Sequence, residues 1–141
     1  MAAGLDNSVA LFLKIALVQA MVHDGRELIV GMTRDPVFGP LVMFGLGGIY
    51  VEALRDVVFR IAPIQSLDAH DMITGIRGHP ILQGIRGAPP VDFAALHDIL
   101  LRTSQLALDC PEVEELDINP LLAFPAPQGA VAVDARVVIS S

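Results

Sequence analysis

Asp117, Asn119 and Asp134 are the residues whose types and spacing first suggest chemistry. They lie in two runs of alternating apolar and polar residues, 115–124 and 130–136, with Pro-Ala-Pro-Gln-Gly between them. Alternation on both sides of such a break signals a β-hairpin. In the first run Leu116 and Ile118 share one face, and Glu115, Asp117 and Asn119 the other. In the second, Val131, Val133, Ala135 and Val137 face one way, and Ala132, Asp134 and Arg136 the other. Asp117 and Asn119 then stand roughly 7 Å apart along the strand, and Asp134 approaches from its neighbour. Two carboxylates and an amide oxygen are hard ligands of the kind Mg²⁺ takes, with nucleotide phosphates and water completing the shell. The competing reading is solvation, because exposed hairpins carry Asp and Asn on their wet face and Asn-Pro is an ordinary turn dipeptide. On spacing alone, solvation comes ahead of metal binding.

The register of this hairpin follows from parity. Leu116 and Ile118 must share a core face with Val131, Val133 and Ala135, and directly opposed residues lie on one face. Even-numbered positions therefore oppose odd-numbered ones. The five residues 125–129 have the wrong parity for a loop, which predicts a connection of four or six residues, or a bulge.

The elements that must position these residues read as strands, two helices, then strands. Residues 8–16 suit a helix capped by Asn7 or Ser8. Residues 16–22 and 27–33 read as strands joined by a hairpin at Asp24-Gly25. Arg34-Asp35-Pro36 reads as a loop, 41–44 as a short strand, and Gly45-Leu46-Gly47-Gly48 as a tight turn between strands. That glycine run lacks the Gly-Lys-Ser/Thr end of a P-loop and the last glycine of a dinucleotide fingerprint. Glu52, Arg55 and Asp56 read as a solvated charge group. A strand is expected over 57–62, then a helix with Ser66 as N-cap ending near Thr74 or Gly75. Residues 75–90 form a glycine- and proline-rich loop. Its Arg77 and Arg86 are either phosphate ligands or surface charges. Asp92 caps a long helix to about Leu108, with Leu96, Ile99, Leu100, Leu106 and Ala107 at helical spacing and Pro111 beyond its end. The architecture expected is α+β, a mainly antiparallel sheet with helices on one face.

The 141 residues form a single domain by length. A formal net charge of −7 with no basic cluster argues against nucleic acid as a partner. Cys110 alone supports neither a disulfide framework nor a cysteine-only zinc site, and cytoplasmic residence fits. Residues 8–22 are apolar, but Lys14 interrupts them, the run is short for a membrane span, and no basic stretch precedes it as in a signal peptide. Hydrophobic residues make up 53%, with few aromatics, so an apolar face covered by a partner is expected. Residues 9–16 are the candidate contact of a dimer; folding back onto their own sheet is the alternative.

Glu-Leu-Asp-Ile-Asn-Pro-Leu at 115–121 followed by Val-Ala-Val-Asp-Ala-Arg at 131–136 resembles the metal-binding hairpin of ATP-grasp proteins. The branch it resembles is the nucleotide-binding part of ADP-forming acyl-CoA synthetases, related to the succinyl-CoA synthetase β subunit and shared with some bacterial protein acetyltransferases. Arg26-Glu27-Leu28-Ile29-Val30-Gly31, Arg34-Asp35-Pro36-Val37-Phe38-Gly39-Pro40 and residues 44–52 agree in order. The resemblance implies the C-terminal subdomain of an ATP-grasp unit, with Mg²⁺ on Asp117, Asn119 and Asp134. It implies ATP or ADP near Val18, Gln19, Glu27 and Arg86, with residues 17–19 following the adenine hinge. The implied parent reaction is acyl-CoA + ADP + phosphate ⇌ acid + CoA + ATP, through phosphorylated intermediates. The family's phosphohistidine motif is absent, so none of His23, His70, His79 and His97 takes that role. The first subdomain, which supplies phosphate-neutralising lysines, is missing, and Lys14 is the only lysine. The chain is therefore expected to be inactive alone, as a fragment, split subunit or decayed gene whose partner chain carries the other domains. A non-catalytic oligomerisation module and a nucleotide sensor are the alternatives.

Overall fold

The structure is a computed structural model that describes residues 18–48, 53 and 55–140. The expected helix over 8–16 and the candidate dimer contact over 9–16 lie outside the described residues.

Six strands form one antiparallel sheet. β1 (Arg26–Asp35), β2 (Gly39–Leu46) and β3 (Val57–Ile61) come first. The helices α1 (Ser66–Gly75), α2 (His79–Leu82) and α3 (Phe93–Asp109) follow. β4 (Val113–Ala123), β5 (Ala130–Ala132) and β6 (Ala135–Ile139) complete the sheet, in the order β3-β2-β1-β4-β5 with β6 also on β4. Period-two alternation explains the packing. Leu28, Val30, Val42, Phe44 and Leu46 turn to the helices and meet Met72, Leu96 and Leu100 in the main core. A smaller cluster of Met32, Ala107 and Val113 continues it towards the end of α3. The helices thus share one face of the sheet, as expected.

α3 begins where the sequence indicated, with the Asp92 carboxylate accepting from the Ala95 N–H at 3.1 Å. Its buried stripe includes Leu96, Leu100 and Ala107, whereas Leu106 faces outward. The cap of α1 is Gln65, one residue earlier than expected, and its N–H donates to Asp68 Oδ2 at 2.7 Å. Arg34 lies within β1, one residue before its end, instead of opening a loop. Its guanidinium donates to the carbonyls of Ala107 (2.8 Å), Cys110 (2.9 Å) and Val113 (2.7 Å). Two of these are carbonyls that the end of α3 leaves without helical partners, and the third opens β4.

Several local expectations are overturned. Residues 18–25 form no strand, and Asp24-Gly25 makes no hairpin. The reason is topological: β2 and β4 occupy both edges of β1, so no edge is left for a preceding strand. Gly25 instead lets the backbone approach β4 closely, since a Cβ there would lie 2.8 Å from the Leu122 side chain. Gly45 and Leu46 continue β2, so the turn begins only at Gly47-Gly48. Asp56 is not solvated. It is 5% exposed, and its two carboxylate oxygens accept the N–H groups of Arg77 and Gly78, each at 2.7 Å. Within 75–90, His79 opens the short α2 with Pro80 in its first turn, where a missing N–H costs no helical bond.

Candidate functional site

The C-terminal hairpin has the expected parity. Ala123 opposes Ala130, Leu121 opposes Ala132, Ile118 opposes Ala135 and Asp117 opposes Arg136. The Phe124 N–H donates to the Gly129 carbonyl, leaving a four-residue turn over 125–128 closed by Gln128 N–H to Pro125 O at 2.9 Å. Between the paired segments, the Asn119 N–H donates to the Asp134 carbonyl at 3.0 Å. Opposed residues share a face, so the exposed Asn119 and Asp134 stand side by side on the same side of the hairpin.

A bulge sets Asn119 apart. Leu28 opposes Leu121 and Val30 opposes Ile118, so Ile29 alone faces two residues, Asn119 and Pro120. Proline has no N–H for the ladder and is tolerated at such a break. The inward-facing positions of β4 consequently switch from Leu116 and Ile118 before the bulge to Leu121 and Ala123 after it. This corrects the expected core face. Ala135 and Val137 do lie on the side of Ile118 and Leu116, but Val131 opposes Leu122 on the other. Val137 remains 51% exposed, because the helices pack over β1, β2 and β3 and leave the β6 margin of their own face open, whereas Val131, 41% exposed, lies on the face turned away from the helices.

Asp117 has a different neighbourhood from Asn119 and Asp134. It is half-buried and opposes Arg136, whose guanidinium donates to Glu115 Oε2 at 2.8 Å. Thr33, Met43, Phe59, Glu115, Asp117 and Arg136 line a groove of about 200 Å³ on the sheet face turned away from the helices. Glu27 lies on that face too, opposite Leu122 and just past the bulge. Its carboxylate rests against Gly48, where any Cβ would collide with it, and its carbonyl accepts the Gly47 N–H at 2.8 Å. The glycine run thus packs onto Glu27.

The other residues singled out lie away from this hairpin. Val18 and Gln19 are exposed in the irregular lead into β1. Arg86 is exposed, with φ of 56°. Its segment packs through Leu82 and Val91 into the core and is tied to the hairpin turn by Asp92 N–H to Phe124 O at 2.8 Å. A roomier cavity of about 640 Å³ lies between the helices, lined by His70, Ile73, His79, Phe93 and His97. It is across the sheet from the hairpin, and its apolar walls and imidazoles do not suit Mg²⁺, so volume is the poorer guide here. Among the described residues no three His, Cys, Asp or Glu side chains converge as a metal cluster. The hairpin pair mixes an amide with a carboxylate. The Glu115–Arg136 ion pair was not anticipated; the shared parity of 134 and 136 was the available signal.

Comparison with known proteins agrees with this architecture. The model of a family described as ATP-grasp domain matches residues 7–139. The chain is 54% identical over 123 residues to acetate–CoA ligase [ADP-forming] I subunit beta of Pyrococcus furiosus, covering 87% of this chain and 52% of that protein. Identity is also 54% over 123 residues to acetate–CoA ligase [ADP-forming] I of Archaeoglobus fulgidus, of which 18% is covered. The chain therefore spans from about a fifth to about half the length of these relatives. A dinucleotide-forming acetyl-coenzyme A synthetase 1 from Ca. Korarchaeum cryptofilum superposes with a TM-score of 0.84 at 41% identity. The match covers 99% of this chain and 65% of that one, which was solved with coenzyme A and Mg-AMPPCP and with its phosphohistidine segment pointing towards the nucleotide binding site. The family match across nearly the whole chain, the antiparallel sheet and the hairpin register lead to one conclusion: this chain belongs to the ATP-grasp domain family.

Proposed function

We propose that this chain is the Mg-nucleotide-binding half of an ADP-forming acyl-CoA synthetase, inactive in turnover unless the remaining domains are supplied. The observation that carries the reading is the exposed pair Asn119 and Asp134, held side by side by the hairpin register. An amide oxygen and a carboxylate fit Mg²⁺, which keeps few protein ligands and shares its shell with phosphates and water. Asn119 and Asp134 would hold the ion, with Asp117 two residues further along the same face of β4; bound Mg²⁺ would offset the charge of the phosphates. Glu27, on the same sheet face, would border the nucleotide, with Val18, Gln19 and Arg86 at its margins. A partner chain would supply the other ATP-grasp subdomain and the CoA-binding domains, consistent with the greater length of the relatives. Cytoplasmic residence belongs to the same proposal; no helix among the described residues is long and apolar enough to cross a membrane.

The test is a titration of the chain with ADP, with and without Mg²⁺, followed by backbone amide shifts, which register millimolar affinities. Mg-dependent, saturable shifts centred on 117–121 and 133–136 are expected, and Asp134→Asn should remove the Mg dependence. Shifts that persist unchanged in EDTA, or none at all, would overturn the proposal. ATP formation from acetyl-CoA, ADP and phosphate by this chain alone would refute its inactivity.

A second reading, an oligomerisation module, is favoured by the exposed Val131, Val137 and Ile139 along the β5–β6 margin. Sedimentation at micromolar concentration distinguishes it: a homo-oligomer lost on Val137→Asp would support association through this margin, and a monomer would exclude it at that concentration.

A further inference from the structure

Phosphate binding needs positive charge, which the resemblance assigns to lysines of the other ATP-grasp subdomain. The sheet itself carries four arginines, and register sorts them. Arg26 opposes the core residue Ala123, Arg60 opposes the core residue Val42, and Arg34 is spent on the carbonyls around the end of α3. All three belong to the parity that faces the helices. Arg136 does not. It opposes Asp117 on the groove side, two residues from Asp134 and therefore on its face. Among the described strand residues it is the one cation on the sheet face that carries the hairpin pair.

From this placement we propose that Arg136 is a phosphate-contacting residue of the nucleotide site, held on Glu115 until a nucleotide arrives. The inference rests on the proposed function above and adds to it a cation from this half of the cleft. Asp134 and Arg136 are separated by roughly 7 Å along the strand, within the span of an extended arginine side chain. The Glu115 contact is the alternative seat. Arg136 and Glu115 are 68% and 46% exposed, so their pair is solvent-screened and weak. A guanidinium so held can leave at small cost and form two parallel bonds to phosphate oxygens, which a lone carboxylate contact in water does not outweigh. Glu115 and Asp117 also keep that end of the groove acidic when no nucleotide is present. An anion entering without Mg²⁺ meets them unscreened, so the cation of the ion and that of Arg136 act together.

The experiment measures affinity of the full chain for Mg·ADP by amide-shift titration, for wild type, Arg136→Ala, Arg136→Lys and Glu115→Gln. Arg136→Ala should weaken binding about tenfold, the loss of one charge-assisted contact. Arg136→Lys should recover part of it, since an ammonium keeps the charge but not the fork. Glu115→Gln should leave binding unchanged or tighten it, because it frees the guanidinium. The slope of affinity against salt should fall in Arg136→Ala, a readout that a purely structural role would not move. Thermal melts report folding, and an exposed pair predicts nearly equal midpoints. If wild type binds Mg·ADP and Arg136→Ala binds it equally well, the inference is wrong while the proposed function stands. If Glu115→Gln loses as much as Arg136→Ala, the ion pair itself is required and the inference is overturned. A wild type that binds no Mg·ADP overturns both.

Discussion

Replacing Asp56 by alanine tests the link between the sheet and the segment that leads into α2. The carboxylate is buried and accepts two backbone N–H groups from residues 21 and 22 positions away, each at 2.7 Å. Hydrogen bonds to a charged partner contribute about 1.5–3 kcal/mol each, and the desolvation of the carboxylate offsets part of that gain. Alanine removes both bonds and leaves the buried Gly78 N–H without its partner, whereas the half-exposed surroundings of Arg77 admit water. The net loss should be about 3–4 kcal/mol, a large share of the 5–15 kcal/mol typical of whole domains. Asparagine keeps one acceptor but turns an NH₂ towards the second donor, so Asp56→Asn should lose about 2 kcal/mol. Urea unfolding followed by far-UV circular dichroism reads both; at a slope of roughly 1.5–2 kcal/mol/M the alanine midpoint should fall by about 2 M. Hydrogen exchange at Arg77 and Gly78 should accelerate selectively in both variants. An Asp56→Ala midpoint within about 0.3 M of wild type would show that the carboxylate is not the anchor, and the reasoning would fail.

Three further outcomes follow from the geometry. Gly31→Ala would put a Cβ 2.5 Å from the Leu116 carbonyl oxygen, between β1 and β4, and should destabilise by about 2 kcal/mol in the same urea assay, because backbone has to move. Arg34→Ala removes three bonds to the carbonyls of Ala107, Cys110 and Val113 and should cost about 2–3 kcal/mol; Arg34→Lys should recover less than half of it, with faster amide exchange at 110–113 in both. The Asp35 carboxyl is held below its usual range by the N–H groups of Phe38 and Val37, so NMR titration should place its midpoint under 3.8. A depressed folded-state value gives stability that is present above the unfolded pKa and lost as pH falls through the folded one, and Asp35→Asn should remove that acid-limb contribution.

The local periodicities were legible without coordinates. The alternation of β1, the Asp92-capped helix and the parity of the C-terminal hairpin depend on residues within a turn or a short loop of one another. Their consequence, Asn119 beside Asp134, could therefore be reached by counting residues. The extent of the core face could not, because the bulge at Asn119-Pro120 reverses the inward set only where β4 meets β1, about ninety residues away in sequence. The same holds for residues 18–25. Asp24-Gly25 has hairpin chemistry, but β1 is flanked by β2 and β4, and an occupied edge accepts no further strand. Asp56 looks like a surface charge beside Arg55 until the fold brings two N–H groups to it from beyond α1. Arg34 looks like a loop residue until the end of α3 brings carbonyls without helical partners to it. Sequence determined the local periodicity of the segments and the parity of the C-terminal hairpin; tertiary structure decided which edges were already taken, where the inward face switches, and which polar groups had to be satisfied at long range. The physical reason is that a buried donor, acceptor or strand edge is paired by whatever the topology brings to it, and local periodicity carries no record of that neighbour.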